Sequence, residues 1–352
     1  MVALRRARLG NLILALVSTM LGFAVLETGL RVAYGHPPRF LEPQVKHRPE
    51  PYGYKALPHQ QAVFTLDKPV RTNAYGFRDG EWNLTKPRGT VRVLVIGDSF
   101  TFGNNNFAED IYPNVLENML RERFGNRVEV LNTSAQGWDL DNEVAFWRHE
   151  GIRYDPDIVV IGFFLNDLLR PRELQPELAA DGRVENRPEG FRWIPHRVIQ
   201  VLKRSALITY LRDVVRGLIE RRRDFVGDAV ANMVDVQREP RIEQGRRLLG
   251  EIAASCNRAG ITLVIAAIPP VNLFHYPRRP VGVVEEIRRF ADDQGVAFVD
   301  LAEPFWAEAD PTAHYGYPWD NHFIGSGHRL AARALYPAVA AFIEPRLSAH
   351  IQ

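Results

Sequence analysis

Four blocks of this chain hold residues whose types and order suit covalent chemistry at an ester carbonyl. They are Gly97-Asp98-Ser99-Phe100, the run Asn132 to Gly137, Leu165-Asn166-Asp167, and Asp320-Asn321-His322. A serine hydroxyl is almost wholly protonated at neutral pH, so as a nucleophile it needs an imidazole to take its proton. The imidazole needs a partner that fixes its tautomer and stabilises its charged form. A tetrahedral intermediate needs donors aimed at its oxyanion. Ser99, His322 and Asp320 can fill the first three roles. The Ser99 N–H, the Gly137 N–H and the Asn166 side-chain amide can fill the last. Each also has a plain structural use. Asp98-Ser99 can cap a helix, Gly137 can serve a turn, Asn166 can close an Asx loop, and His322 can be a core histidine.

For residues so far apart to meet, the fold must bring strand ends to one edge. Val91 to Ile96 is a β-branched run of the kind buried on both faces of a parallel sheet. Further strands are expected at Arg127–Leu131, Asp157–Phe164, Ile261–Ile268 and Val296–Leu301. Helices between them are expected at Asp110–Phe124, Leu140–Glu150, Ile242–Ala259 and Val283–Gln294, with a last helix from Gly325 to about Phe342. Alternating strands and helices predict an α/β domain with helices on both faces of a parallel sheet. Successive strand ends in such a sheet share one cleft. Ser99, Gly137 and Asn166 follow strands, and His322 precedes the last helix.

These four blocks, in this order and placement, resemble the SGNH, or GDSL-type, esterase superfamily. The resemblance covers Val91 to about Phe342. It implies a three-layer α/β/α fold with a central parallel sheet of flavodoxin-like order. It also implies Ser99 as nucleophile, His322 as base, and Gly137 and Asn166 in the oxyanion hole. The chain departs from the pattern twice. Phe100 replaces the usual leucine after the serine, and Trp319 stands where the aspartate three residues before the histidine is usual. Asp320 lies two before instead, an arrangement similar to the alginate O-acetyltransferase branch. Asp320 can orient His322 from this position, or a backbone carbonyl can do so. His328, in the Gly327-His328 pair that opens the final helix, is the rival histidine and fits a structural role.

With 352 residues, 46% hydrophobic and 24% charged, the chain is long enough for a large domain with additions and is not disordered as a whole. A net charge of +2 and the lack of any nucleic-acid motif argue against a nucleic-acid partner. Cys256 is the only cysteine, which excludes an internal disulfide or a multi-cysteine metal site. No HExxH, GxGxxG or Walker pattern accompanies the four blocks, so no metal or organic cofactor is expected.

Outside the expected core lie three additions. Arg5, Arg6 and Arg8 precede an uncharged run, Leu9 to Leu26, that rises about 27 Å as a helix, close to a bilayer core. The basic flank should stay cytoplasmic and send the remainder across the membrane. No small-x-small cleavage site follows, so residues 1–35 are read as an uncleaved anchor rather than a signal peptide. Residues 36–90 are a proline-rich preamble, either a spacer or a wrap on the domain, and residues 91–352 are the hydrolase domain. Within it, about 168–240 form an insertion too long for a plain loop. Its first part reads as irregular. Its second, about Val198 to Arg223, reads as one helix with an apolar stripe at Val201, Ile208, Leu211, Val215 and Leu218. Lys203, Arg204, Arg212 and Arg216 are among the cations around that stripe. They form either a solvated face or one that meets anionic lipid or an acidic glycan.

The expected function is that of a membrane-anchored extracytoplasmic serine esterase acting on O-acyl groups, acetyl foremost, of a cell-envelope or secreted glycan. Two alternatives use the same residues differently: an O-acetyltransferase that passes the acyl group to a sugar, and a catalytically silent glycan-binding protein.

Overall fold

The computed structural model describes residues 2–37, 44–63, 68–165, 168, 177–185, 194, 196–221, 240–278 and 281–349. Five parallel strands form its central sheet: β1 (Val91–Gly97), β2 (Val128–Asn132), β3 (Ile158–Phe164), β4 (Thr262–Ile268) and β5 (Ala297–Asp300). Their spatial order is β5-β4-β3-β1-β2, which is the flavodoxin-like arrangement. Val91 pairs with Val128 on one side of β1, and Val93 with Ile158 on the other.

The continuous apolar character of β1 has a direct cause. Leu94 and Ile96 point into a layer with Val144, Phe146, Leu249, Ile252 and Ile287. Val91, Val93 and Val95 point the opposite way, against Leu116, Leu120, Leu335 and Val339. Alternate residues of a strand face opposite sides, so a strand with helices on both faces must be apolar throughout. The helices Leu140–His149, Pro240–Arg258 and Gly282–Gln294 supply the first layer, and Tyr112–Phe124 and Gly325–Ala349 the second. Burying one such side chain is worth roughly 1.5–3 kcal/mol.

Three expected boundaries are corrected. The Tyr112–Phe124 helix starts two residues late, with Pro113 in its first turn where a missing N–H costs nothing. The last helix runs past Phe342 to Ala349, burying Ile343 and Leu347. The helix expected over Val198–Arg223 is two, His196–Leu202 and Ala206–Arg221. They are separated at Ser205, whose hydroxyl caps the second by accepting from the Ile208 N–H at 3.1 Å. Much of the irregular half of the insertion lies outside the described residues, as do the side chains of Val215, Arg216 and Leu218.

The preamble is a wrap. Its hairpin, His47–Glu50 with Gly53–Ala56, buries Tyr52 and Tyr54 in the same cluster as Leu94. Lys55 closes on Glu150 at 2.7 Å. Farther on, Asn73 Oδ1 accepts from the N–H groups of Tyr75 and Phe77, both at 3.0 Å, and so turns the chain to bury Phe77 and Arg78.

Among the described residues one helix, Gly10–Tyr34, is long and apolar enough to cross a membrane, and its apolar stretch is not buried in the chain. A membrane span and a signal sequence both fit that description.

Candidate active site

β1 ends at Gly97, beside the point where the order of strands reverses, and Ser99 opens a short helix, Ser99–Phe102. Asp98 caps it, its carboxylate accepting from the Phe100 N–H at 2.8 Å. A Cβ at Gly97 would stand 2.1 Å from Thr101 Oγ1, so the sharp strand-to-helix turn admits only glycine there. The turn presents the Ser99 hydroxyl at the carboxyl edge of the sheet.

His322 reaches this hydroxyl from the loop before the last helix. Its Nε2 lies 2.8 Å from Ser99 Oγ and its Nδ1 lies 2.5 Å from Asp320 Oδ1. Burial alone would raise the Asp320 pKa. The facing His322 and hydrogen bonds from His322 and Asn105 outweigh it and hold the carboxyl below its usual range. As a carboxylate Asp320 can only accept, which places the proton of neutral His322 on Nδ1. Nε2 then offers its lone pair to the Ser99 O–H. The arrangement can take a proton from Ser99 and return it to a leaving alcohol. Of the two orienting partners left open by the sequence, the carboxylate of Asp320 is in contact with His322 Nδ1.

Phe100 lies buried between Phe164, His322 and Phe323, with ring centroids 4.5, 4.9 and 5.0 Å away. The aromatic ring in place of the usual leucine thus forms a packed wall against the imidazole. His328 is buried elsewhere, its Nδ1 accepting from the Tyr112 N–H at 3.2 Å. Burial, aided by the charge of Arg78, lowers its pKa to about 3, so it stays neutral.

Gly137 ends the loop after β2 with φ of 75°, in the left-handed region. That loop is tied to the end of β1 by the Ala135 N–H on the Gly97 carbonyl, 3.2 Å, and by Thr133 N–H on Val95. Asn166 lies outside the described residues; β3 ends two residues before it, at Phe164 against Phe100.

Two features escaped the sequence reading. Asn104, Asn105 and Asn106 follow the Ser99 turn and reach two other loops, the one after β2 and the one that carries His322. Asn104 Oδ1 accepts from Gln136 Nε2 at 2.9 Å, next to Gly137. Asn105 donates to Asp320 Oδ2, and Asn106 Nδ2 donates to the Phe323 carbonyl at 2.8 Å. The second is Arg78 of the preamble, wholly buried, whose guanidinium donates to the carbonyls of Phe102, Gly103 and Asn106 at 2.9, 2.5 and 2.5 Å. The available signal was the run of three asparagines, a residue type that enters the left-handed region readily; Asn105 has φ of 60°. Among the described residues no group of three His, Cys, Asp or Glu side chains is placed to hold a metal ion.

The GDSL-like lipase/acylhydrolase family profile matches residues 95–330, a stretch that holds all four blocks. The chain belongs to this family. It is therefore a hydrolase acting on ester bonds. Solved structures of similar fold include a GDSL-family lipolytic protein from Desulfitobacterium hafniense DCB-2, 15% identical with a TM-score of 0.38, covering 71% of this chain and 99% of that one. They also include the acetylxylan esterase Axe2 of Geobacillus stearothermophilus, 15% identical with a TM-score of 0.44, over 72% and 96% of the two chains. An enzyme from the metagenome of Lake Arreo, Spain, is 18% identical with a TM-score of 0.45, over 74% and 99%. No curated protein matches the sequence.

Proposed function

We propose that this GDSL-like hydrolase is a membrane-anchored extracytoplasmic serine esterase that removes O-acyl groups, acetyl foremost, from a cell-envelope or secreted glycan. The observation that carries the catalytic part is the unbroken contact chain from Ser99 Oγ through His322 to Asp320, 2.8 and 2.5 Å. In this reading His322 Nε2 takes the hydroxyl proton as Ser99 Oγ bonds to the ester carbonyl carbon. The oxyanion is met by the N–H groups of Ser99 and Gly137 and by the Asn166 amide. Collapse breaks the carbonyl carbon–alkoxy bond, and His322 gives its proton to the departing sugar oxygen. Water, deprotonated by His322, then attacks the acyl carbon; the acyl carbon–Ser99 Oγ bond breaks, His322 returns the proton to Oγ, and the acid is released. The location rests on the apolar Gly10–Tyr34 helix and the arginines before it.

A second reading, transfer of the acyl group to another sugar, is favoured by the two-residue spacing of Asp320 and His322. It needs only that a sugar hydroxyl replace water in the second step.

Replacing the nucleophile tests the main reading. Ser99→Ala should lower turnover of a short-chain aryl ester by several orders of magnitude with the melting temperature unchanged. Activity within a few-fold of the parent would overturn it. Measuring free acetate against acetylated sugar, with an acetyl donor and oligosaccharides present, separates hydrolysis from transfer.

A further inference from the structure

The outer end of the apolar helix is joined to the loop that carries the catalytic histidine. Trp319, one residue before Asp320, donates its indole N–H to the Tyr34 carbonyl at 2.7 Å. The Tyr34 ring meets Trp319 edge-on and stacks on Tyr210 of the insertion. Two helical turns earlier, Glu27 caps the Ala206–Arg221 helix. Its carboxylate accepts from the N–H groups of Ala206 and Leu207, both at 2.9 Å, and from the Ser205 hydroxyl at 2.8 Å. Arg31 adds a bond to the Arg204 carbonyl at 2.9 Å.

Around this junction the insertion helices leave Val198, Val201, Leu202 and Leu211 exposed, Val201 at 61% and Leu211 at 49%. Arg204, in the turn between these two helices, and Arg212, on the second, are exposed as well. In the loop joined to Tyr34 through Trp319, Tyr317 and Ile324 stand exposed, one before and one after His322 in the chain. Exposed aliphatic side chains beside arginines, with tyrosine and tryptophan between, match what the headgroup layer of an anionic bilayer accepts.

The length of the helix sets the height. The 25 residues Gly10–Tyr34 rise about 37 Å, slightly more than a hydrocarbon core of about 30 Å, so Tyr34 ends among the headgroups. A loop hydrogen-bonded to the Tyr34 carbonyl starts at that same level.

We propose that the insertion helices and the Tyr317–Ile324 edge of the histidine loop lie on the bilayer, and that Ser99 receives its ester from the membrane surface. The substrate is then an amphiphile, an O-acylated saccharide carried on a lipid. This rests on the esterase and anchor readings above and adds how the substrate is presented.

The test uses the full chain in phosphatidylethanolamine–phosphatidylglycerol vesicles. Cys256 is buried, so a bimane label on Leu211→Cys reports that site, and one on Ile152→Cys reports the opposite, amino-terminal edge of the sheet. Lipids with a nitroxide near the headgroup should quench the first and spare the second. In the same vesicles, an acetylated glucoside on a long alkyl chain should be hydrolysed with kcat/KM at least about tenfold above the same sugar acetate as a soluble methyl glycoside, given tenfold per 1.4 kcal/mol of added binding. Equal turnover of the two esters, or an unquenched label on a chain that resists carbonate extraction, would overturn the proposal alone. Release by carbonate would overturn the anchor reading and the proposal together, and inactivity toward both esters would overturn the esterase reading.

Discussion

The side-chain amide of Asn105 donates to the outer carboxylate oxygen of Asp320, 215 residues away, while the inner oxygen faces His322. Asp320 is therefore held from both sides, and its plane is set by a residue of the loop that follows Ser99. Any movement of that loop relative to the histidine loop breaks this contact.

Asn105→Ala should lower kcat by about tenfold with little change in KM, the pattern expected when a group acts through another rather than on the substrate. Asn105→Asp should cost more, because it sets a second carboxylate against Asp320. Steady-state kinetics on a soluble acetyl ester, with Asn105→Gln as partial rescue, measures this.

Asp320→Asn keeps the shape but offers His322 a neutral partner. A drop of about 10⁴-fold in kcat is the expected outcome, the scale seen when the orienting carboxylate of a serine triad is changed this way. A loss of tenfold or less would mean that a backbone group suffices to orient the imidazole.

Arg78→Met should cost about 3 kcal/mol or more, since three buried carbonyls lose a charged donor. Arg78→Lys should recover only part, as one ammonium cannot span the Phe102, Gly103 and Asn106 oxygens as a planar fork does. Denaturant unfolding reads the stability. Activity per folded molecule should fall as well, because these carbonyls belong to the loop that carries Asn105.

Glu143 is fully buried, and neither of its oxygens has a hydrogen-bond partner among the described residues. Burial, then the charges of Asp98 and Asp139, raises its pKa well above the ordinary 4.5. The folded state thus holds this proton more tightly than the unfolded state does. Its contribution to stability is fully present below pH 4.5 and is lost as pH rises toward the folded value, by at most about 1.4 kcal/mol per pH unit. Glu143→Gln carries no titrating proton, so unfolding free energy measured between pH 5 and about 8 should decline less steeply than in the parent. Identical slopes would refute the assignment.

The strands and most helices were legible in the sequence because each depends on a local pattern. The shared sheet edge made Ser99 and His322 candidates to meet, while the partner that orients His322 was left open between Asp320 and a backbone carbonyl. A run such as Val91–Ile96 can satisfy its side chains only between two layers of helix, and strand ends in a parallel sheet must share an edge. Tertiary structure alone decided the rest. Nothing within ten residues of Arg78 announces that its guanidinium will be buried on the carbonyls of Phe102 to Asn106. Nor does Asn105 reveal by its neighbours that it will meet Asp320. The break at Ser205 comes from Glu27, a residue of the apolar helix that takes the N–H groups of Ala206 and Leu207. Trp319 likewise finds the Tyr34 carbonyl only once the last loop has folded back. Apart from the Asn105–Asp320 pair, these are side chains meeting backbone groups across long stretches of chain. Their partners are set by where the packed layers leave a carbonyl or an N–H unpaired, and sequence periodicity carries no record of that.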